Sequence, residues 1–373
     1  MRLHKALYGL RQAPRAWNSK LDSTLVALGF TRCSEEHGVY VRGEGQRRLL
    51  LGVYVDDIIL TGADSNELTQ FKEEMKNTFK MSDLGLLSYY LGIEVQQRPG
   101  MITLGQAAYA AKLLERAGMS NCNPVQAPME TRLKLSKKST APAVDSTLYR
   151  SLVGSLRYLI HTRPDISFAV GYISRFMENP TTEHMGAVKH VLRYIAGTLH
   201  YGFCYRKGDG NIKLIGYSDA DLAGDTDDRK STSGGVFFLG QSPVGWHSTK
   251  QPVVALSSCE AEYIAATSAA CQLIWLGQLL GSLYSKAATA ATLLIDNQSA
   301  IQLCKNPVFH GRSKHIETRF HFIRECVETG KIAVGHVHTD DQLADIMTKP
   351  LGRVRFQELR QKLGIVDLQA HQA

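Results

Sequence analysis

Residues 212–221 of the chain read IKLIGYSDAD, an apolar run that ends in two acids separated by one alanine. Such a run predicts a buried β-strand with Asp219 at its end. The pattern after it predicts two more strands, a long helix over about residues 258–283, a strand, two helices, a strand and a last helix from about Gln342. This order predicts a mixed sheet with helices packed on it.

Three further acids lie at similar places, where a strand ends or a helix begins. Asp296 ends an apolar strand, Glu262 lies in the first turns of the long helix, and Asp345 begins the last helix. Acids that converge at one end of a sheet need neutralisation, because like charges raise one another's pKa. Oxygen ligands suit Mg²⁺ or Mn²⁺. Taken singly, each acid is more often a helix cap or a turn residue.

The first third of the chain contains a second acidic feature. Residues 49–61 read LLLGVYVDDIILT, two apolar runs separated by Asp56 and Asp57, which predicts a β-hairpin with the acids at its tip. A helix near residues 65–80 and two short strands are predicted to follow, so this part is an α+β unit. A hairpin with two acids at its tip is, by itself, only a turn.

Composition limits the classes of partner. The formal net charge of +8 in 373 residues favours polyanions, with nucleic acid ahead of an anionic membrane surface. The seven cysteines are scattered without a CxxC pair, so we expect reduced thiols. We find no window with the roughly 18 apolar residues of a membrane span, which predicts a soluble intracellular protein without a membrane partner.

Five blocks of the C-terminal half resemble, in order, the ribonuclease H domain of copia-type long-terminal-repeat retrotransposons. The blocks are GYSDADLAGDTDDRKSTSG, WHSTKQPVVALSSCEAEYIAA, LLIDNQSAI, KHIETRFHFIRE and QLADIMTKPL. The resemblance implies cleavage of the RNA strand of an RNA/DNA hybrid by four carboxylates and two Mg²⁺ or Mn²⁺ ions. The matching positions are Asp219, Glu262, Asp296 and Asp345.

The N-terminal part resembles the reverse transcriptase of the same family, in the blocks HKALYGLRQAPRAW, YVDD and DLGLLSYYLGIEV. The resemblance implies that Asp56 and Asp57 hold metal for nucleotidyl transfer. In the family a third carboxylate lies N-terminal to the first block, where this chain begins. We therefore expect the fingers and that acid to be missing, and the polymerase to be inactive alone.

The resemblance divides the chain into α+β and α/β parts. We expect a truncated palm and thumb, an exposed linker rich in Pro, Ser, Thr and Lys, a helical connection, a ribonuclease H-like domain with a mixed five-stranded sheet, and a tail. The predicted bounds are 1–126, 127–147, 148–207, 210–350 and 351–373.

Two groups of cations are candidates for nucleic-acid contact. Arg11 and Arg15 lie in an N-terminal stretch without acids, which suits template contact or an exposed helix remnant. Lys314, His315 and Arg319 lie on and beside an amphipathic helix, which suits contact with the hybrid backbone or a solvated helix face.

Five other polar residues have weaker patterns. His336 and His338 precede the last helix, where ribonucleases H often carry a histidine, but His338 also fits a solvent-facing strand position. Glu260 lies on a different helical face from Glu262 by the 100° step and is the less favoured ligand. Asp221 and Asp225 are assigned to the surroundings of the site or to the surface.

The leading hypothesis is a Mg²⁺-dependent ribonuclease H joined to an incomplete RNA-directed DNA polymerase. Its expected partners are RNA/DNA hybrid and primer-template, with other Pol or Gag products as further candidates. Its expected location is intracellular, in cytoplasmic virus-like particles or the nucleus. The alternative is a catalytically dead fragment that only binds nucleic acid. A DNA-strand-transfer enzyme is a distant third, because that class usually works with three acids.

Overall fold

The structure is a computed structural model that describes residues 7, 9–208, 210, 213–284, 290–305 and 317–370, with the side chains of 317–321 left out. The chain divides into two compact units. One consists of Met1–Leu87 with Trp275–Thr289, and the other of Ser88–Ile274 with Ala290–Ala373. Each unit is described separately below.

The first unit contains an antiparallel sheet, two helices and, from Trp275 on, the second half of a long helix whose first half belongs to the other unit. Its elements are α1 (Ala13–Ala27), β1 (Thr31–Arg32), β2 (Val39–Arg42), β3 (Leu49–Tyr54), β4 (Asp57–Gly62) and α2 (Ser65–Thr78). The strands pair in the order β1-β2-β3-β4, and the predicted hairpin is confirmed as β3 and β4. Leu25 and Phe71 lie in the core between sheet and helices, and the side chain of Asp64 caps α2.

The second unit contains two five-stranded sheets and most of the helices. Its elements begin with β5 (Tyr89–Tyr90), β6 (Ile93–Arg98), β7 (Met101–Gly105), α3 (Ala107–Arg116), α4 (Ser146–Leu159), α5 (Ser167–Ile173), α6 (Thr182–Ala196), β8 (Tyr201–Arg206), β9 (Leu214–Ala220), β10 (Thr232–Leu239) and β11 (Ser242–Lys250). They continue with α7 (Ser258–Tyr284), β12 (Ala291–Ile295), α8 (Gln298–Lys305), α9 (Glu317–Glu328), β13 (Ile332–His336), α10 (Arg353–Lys362) and β14 (Ile365–Asp367).

The mixed sheet predicted from the sequence is present. Its strands lie in the order β11-β10-β9-β12-β13, with β10 antiparallel to both neighbours and β12 parallel to β9 and β13. The other sheet is antiparallel in the order β14-β8-β7-β6-β5. The mixed sheet carries the candidate acids, and a 3-10 helix over Leu343–Met347 packs against it.

The structure differs from the predicted domain bounds in two places. Residues 88–126 group with the second unit instead of the first, because β7 pairs with β8. Residues 351–373 contain α10 and β14, and β14 also pairs with β8, so this segment is not a separate tail. Pairing between strands that are distant in sequence leaves no local signal, so the sequence pattern missed both.

Residues 127–147 are not the exposed linker that their composition predicts. Met129 and Leu135 are buried in the core of the second unit. The backbone also finds partners, since the N–H of Leu135 donates to Tyr172 Oη at 3.1 Å and that of Lys137 donates to Asp227 at 2.8 Å. Two apolar anchors and long-range hydrogen bonds are enough to fix a segment that has no apolar periodicity.

Helix α7 also departs from the sequence expectation. Within the described residues it is long and apolar enough, by length and composition, to cross a membrane. Half of its most apolar stretch is buried, and Ala265, Ala269 and Leu273 have no exposed surface. The helix therefore has the character of a core helix, and its apolar residues are accounted for by packing.

Candidate active site

The pairing of β9 with β12 brings two of the predicted acids together. The strands are parallel, with Ile295 opposite Ser218, so their carboxyl ends lie at the same edge of the sheet. Asp219 is the next-to-last residue of β9, and Asp296 directly follows β12. The sheet register therefore places two acids from distant parts of the sequence side by side.

Glu262 reaches the same edge from α7. Its Oε1 accepts a hydrogen bond from the N–H of Ala220 at 3.2 Å, which fixes the side chain against the end of β9. One carboxylate oxygen from each of Asp219, Glu262 and Asp296 lies within 4.8 Å of the other two. Three of the four predicted acids thus form one cluster.

Asp345 lies beside this cluster and is held by a lysine. It is buried in the 3-10 helix, not in the α-helix that the sequence predicted. Its Oδ1 lies 2.7 Å from Lys349 Nζ, which lies 3.6 Å from Asp219 Oδ2. Thr348 Oγ1 donates a hydrogen bond to the same oxygen of Asp219. Asp345 is therefore linked to the three acids through Lys349 and Asp219.

A glycine permits this approach. Gly234 pairs with Asp219 across the β9 and β10 ladder. A Cβ at this position would lie 2.6 Å from Thr348 Cγ2 and 2.7 Å from Met347 Cβ, closer than atoms pack. The missing side chain lets the 3-10 helix lie directly on the sheet beside the acids.

Burial and mutual repulsion both act on the acids. Burial, together with the charge of Asp219, raises the pKa of Glu262 to about 10 and that of Asp345 to about 6, and the same two causes raise the pKa of Asp296. In the described part of the chain, the buried Oε2 of Glu262 has no hydrogen-bond partner. The cluster is therefore short of positive charge.

The donor set fits a divalent cation. The cluster found among the described residues consists of carboxylate oxygens alone, which is the ligand chemistry that Mg²⁺ and Mn²⁺ prefer. A cation would also satisfy the unpartnered oxygen of Glu262 and relieve the repulsion that raises these pKa values. The acidic triad can bind a metal.

Sequence reasoning missed the residues that hold Asp345 and Asp219. Lys349 and Thr348 belong to the block QLADIMTKPL, in which only Asp345 was predicted as a site residue. The signal for Lys349 was its position four residues after Asp345, the spacing at which ion pairs form on a helix. Arg355 Nη2 lies 3.8 Å from Asp345 Oδ2, and nothing in the local sequence pairs these two residues.

The neighbouring acids have other partners. Glu260 Oε2 accepts from the N–H of Leu256 at 3.0 Å, at the start of α7, and Glu260 is not part of the three-acid cluster. Asp225 forms ion pairs with Arg175 at 3.0 Å and with Lys250 at 2.6 Å. These contacts assign both acids to local structure around the site.

The two candidate histidines are exposed. His336 ends β13, and His338 Nδ1 accepts from the N–H of Asp340 at 3.3 Å, which caps a 3-10 turn over Thr339–Asp341. Thr339 Oγ1 in turn donates to Asp296 Oδ2 at 3.3 Å. His338 therefore has a structural partner on a turn that touches the site.

The candidate nucleic-acid contacts are only partly within the described residues. Arg11 and Arg15 are exposed, as a contact surface requires. Lys314 and His315 lie outside the described residues, and the structure leaves out the side chain of Arg319. Arg324, on the same helix, is buried.

The hairpin of the first unit carries both acids at its tip, as the sequence predicts. Tyr54 pairs with Asp57, so Val55 and Asp56 form the turn and Asp57 begins β4. Both acids are exposed. The carbonyl of Val55, a residue with φ of 57°, accepts a hydrogen bond from Trp17 Nε1 at 2.6 Å.

Comparison with known proteins gives consistent results. Residues 1–131 match the family model described as reverse transcriptase (RNA-dependent DNA polymerase). The chain is 44% identical over 365 residues to the retrovirus-related Pol polyprotein from transposon RE2 of Arabidopsis thaliana, over 98% of this chain and 25% of that protein. It is 35% identical to a transposon Ty5-1 protein of Saccharomyces cerevisiae, over 71% of this chain and 87% of that protein.

A solved structure shares the fold. The foamy viral protease-reverse transcriptase in complex with RNA/DNA hybrid matches with a TM-score of 0.53 at 14% identity, over 89% of this chain and 39% of that chain. This likeness confirms the reverse transcriptase and ribonuclease H fold class. The chain spans about a quarter of the length of the Arabidopsis polyprotein it matches. The chain belongs to the family of Pol polyproteins of copia-type long-terminal-repeat retrotransposons.

Proposed function

We propose that the second unit is a Mg²⁺- or Mn²⁺-dependent ribonuclease H that cleaves the RNA strand of an RNA/DNA hybrid. The observation that carries the proposal is the meeting of Asp219, Glu262 and Asp296 within 4.8 Å, with Asp345 linked to them through Lys349. Divalent cations bound there would activate a water molecule and stabilise the leaving oxygen of a phosphodiester.

The residues of the chain prepare this chemistry by fixing the carboxylates. The N–H of Ala220 orients Glu262, Thr348 orients Asp219, and Thr339 orients Asp296. Hydrogen bonds from such neighbours set the direction of ligand oxygens before a cation binds, which is the usual way that metal sites gain affinity.

The test is cleavage of a labelled RNA/DNA hybrid in Mg²⁺ by the purified chain. We expect Asp219→Asn and Asp296→Asn each to lower the rate by more than about 100-fold, because changes to residues behind metal ligands alone cost about 10–100-fold. The matched control is Asp145→Asn, since asparagine caps α4 as well as aspartate does. Cleavage that survives both changes at the site would refute the assignment.

The same assay separates the binding-only alternative. A chain that binds hybrid with a strong salt dependence but does not cleave it in Mg²⁺ or Mn²⁺ would be a nucleic-acid-binding fragment. The raised pKa values of Glu262 and Asp345 favour the enzyme, because a cluster that only needed to bind a polyanion would gain nothing from buried acids.

The first unit carries the second pair of predicted acids. Asp56 and Asp57 are two exposed acids, and within the described residues they belong to no group of three metal-ligating side chains. We propose that the first unit, with the exposed Arg11 and Arg15, contacts primer-template and that this chain alone does not polymerise. Lys314, His315 and Arg319 are proposed contacts to the hybrid backbone.

The remaining proposals concern where the chain acts. We propose an intracellular location, in cytoplasmic virus-like particles or the nucleus, with other Pol or Gag products as candidate partners. Fractionation of cells that express the chain tests the location.

A further inference from the structure

A polar cavity of about 290 Å³ lies between α7 and the strands β10 and β11. Its polar wall consists of Ser233, His247, Thr249, Gln251, Ser268 and Gln272. The ring of His247 lies across Gly235, where a Cβ would collide with it. The volume is close to the lower end of small-molecule sites, which hold roughly 300–1,000 Å³. It has room for a single ring system.

Two residues that line the cavity have a polar atom buried behind its wall without a hydrogen-bond partner among the described residues. Gln251 is 3% exposed, and its amide nitrogen donates to Ser233 Oγ at 3.0 Å and to the carbonyl of Ala261 at 2.9 Å. These bonds fix the amide orientation, yet Gln251 Oε1 has no hydrogen-bond partner within the described residues. The buried Nε2 of His247 is also unpartnered there. The hydrogen bonds of Gln251 make the cavity floor rigid, and the accessible polar groups of Thr249, Ser268 and Gln272 are left to meet a ligand.

The wall offers almost no charge to which an ionic ligand could bind. No carboxylate lines the cavity among the described residues, and its one lysine, Lys250, is paired with Asp225 at 2.6 Å and Asp228 at 2.8 Å. Burial also lowers the pKa of His247 to about 4, so the ring is neutral at physiological pH. A phosphate, carboxylate or metal ion would enter without a counter-charge, which is strongly unfavourable.

The neutral wall is adjacent to the acidic cluster in the fold. Gln251 binds the carbonyl of Ala261, the residue before Glu262. Ser233 pairs with Ala220, the residue after Asp219, in the β9 and β10 ladder. Pro252 and Ile264 add apolar surface on which a flat ring can lie.

We propose that this cavity binds an unpaired nucleobase of the strand engaged at the acidic cluster. A base is neutral and flat, and its edge can form hydrogen bonds with the accessible side chains of Thr249, Ser268 and Gln272. The choice of a base over another neutral ring rests on the proposed function, because nucleic acid at Glu262 supplies bases to the neighbouring cavity.

The experiment uses the full chain in EDTA, so that no hydrolysis occurs. Adenosine, guanosine, cytidine and uridine are offered separately at millimolar concentration, with ribose and inorganic phosphate as comparison probes, and saturation-transfer NMR reports which protons contact the protein. We expect base protons of at least one nucleoside to receive saturation, with no signal from ribose and no competition by phosphate.

Two variants locate the signal. Ser268→Trp places a large side chain over the cavity from an exposed position on α7 and should abolish nucleoside binding, whereas Ser151→Trp, at an exposed position on α4, should not. Gln272→Leu keeps the bulk and should weaken binding roughly 5-fold or more, as expected for one lost hydrogen bond.

Each result has a defined meaning. Absence of binding by all four nucleosides, or binding that Ser268→Trp leaves unchanged, would overturn the proposal. Competition by phosphate at the same signal would assign the cavity to the backbone and also overturn it. Hybrid cleavage without nucleoside binding would remove the base pocket and leave the ribonuclease assignment intact, so the two failures can be told apart.

Discussion

Lys349 is the residue on which the charge balance of the acidic cluster depends. Its ammonium group contacts Asp345 at 2.7 Å and lies 3.6 Å from Asp219, so it acts as a built-in cation among the proposed metal ligands. Burial alone would lower the pKa of Lys349, but Asp219 and Asp345 raise it, and the charge is retained. A metal ion must share these carboxylates with the lysine.

We predict that Lys349→Met binds Mn²⁺ about 10-fold more tightly than the natural chain. The reason is that the variant removes the repulsion between the ammonium group and the metal ion, and about 1.4 kcal/mol of binding free energy corresponds to a tenfold change in affinity. Isothermal titration without nucleic acid measures this. The control is Lys76→Met, which removes an ion pair with Glu73 in the first compact unit. Unchanged or weaker Mn²⁺ binding would show that Lys349 does not compete with the metal.

His247 gives a pH dependence that can be isolated by substitution. Burial lowers the pKa of His247 to about 4 in the folded chain. In the unfolded chain the imidazole binds a proton near pH 6.5, so between these two values only the unfolded chain is protonated at this residue. Because the unfolded chain binds the proton more readily, the stability of the folded chain is highest above about pH 6.5 and decreases as the pH falls toward 4.

We predict that the free energy of unfolding falls by on the order of 1–2 kcal/mol from pH 7 to pH 4.5 through this residue, allowing for its partial exposure. Urea unfolding of the natural chain and of His247→Gln at both pH values measures the difference, because titration of acids elsewhere is common to both. His336→Gln, at an exposed position, should keep the natural dependence. Equal pH profiles for all three chains would contradict the prediction.

The four acids were predictable at this scale because each ends or begins a local pattern that the sequence displays. The residues that contact these carboxylates were not predictable, because the fold decides which side chains come together. Thr348 reaches Asp219 across more than a hundred residues, and Arg355 meets Asp345 only where α10 packs on the 3-10 helix.

At the scale of elements, the turn of the β3 and β4 hairpin stores backbone strain. Val55 has φ of 57°, a conformation that is a true outlier for a β-branched residue, and it is 62% exposed. The left-handed region costs such a residue about 1–2 kcal/mol. The hydrogen bond from Trp17 to its carbonyl holds this turn in place.

We predict that Val55→Asn stabilises the first unit by about 1 kcal/mol, because asparagine adopts the left-handed region more readily and little buried surface is lost. Hydrogen exchange of the β3 and β4 amides measures the change. The same substitution at the exposed Val26 of α1 should be neutral or destabilising, because asparagine is no better than valine inside a helix. Stabilisation at both positions would show that the effect is unrelated to the turn.

Helices and strands with a clear apolar period were predicted from the sequence. The elements that were missed are those whose formation depends on pairing with distant residues. The helical connection predicted after the linker is confirmed as α4, α5 and α6, and Gly197 caps the C-terminal end of α6. Strand β14 has three residues and is defined by its pairing with β8, so its sequence alone carried no signal. The segment 127–147 illustrates the same limit, since its burial depends on Met129 and Leu135 meeting distant helices.

At the scale of the whole molecule, the connection helices and the residues around Asp345 belong to one core. Leu343, Ile346 and Met347, which flank Asp345, lie in the same buried cluster as residues of α4, α5 and α6. Residues of β10 and α10 join it. The helical connection therefore supports the proposed ribonuclease site. The predicted boundary near residue 207 treated the connection and the ribonuclease H-like domain as separate.

The two sets of acids, by contrast, lie in different compact units with separate cores. We therefore predict that the double change of Asp56 and Asp57 to Asn leaves the rate of hybrid cleavage in Mg²⁺ within about twofold, because residues of separate cores without shared partners act independently. Asp219→Asn should abolish that rate in the same assay. A large loss of cleavage in the hairpin variant would mean that the first unit positions the hybrid for the second, and salt titration of hybrid binding would then separate lost affinity from lost catalysis.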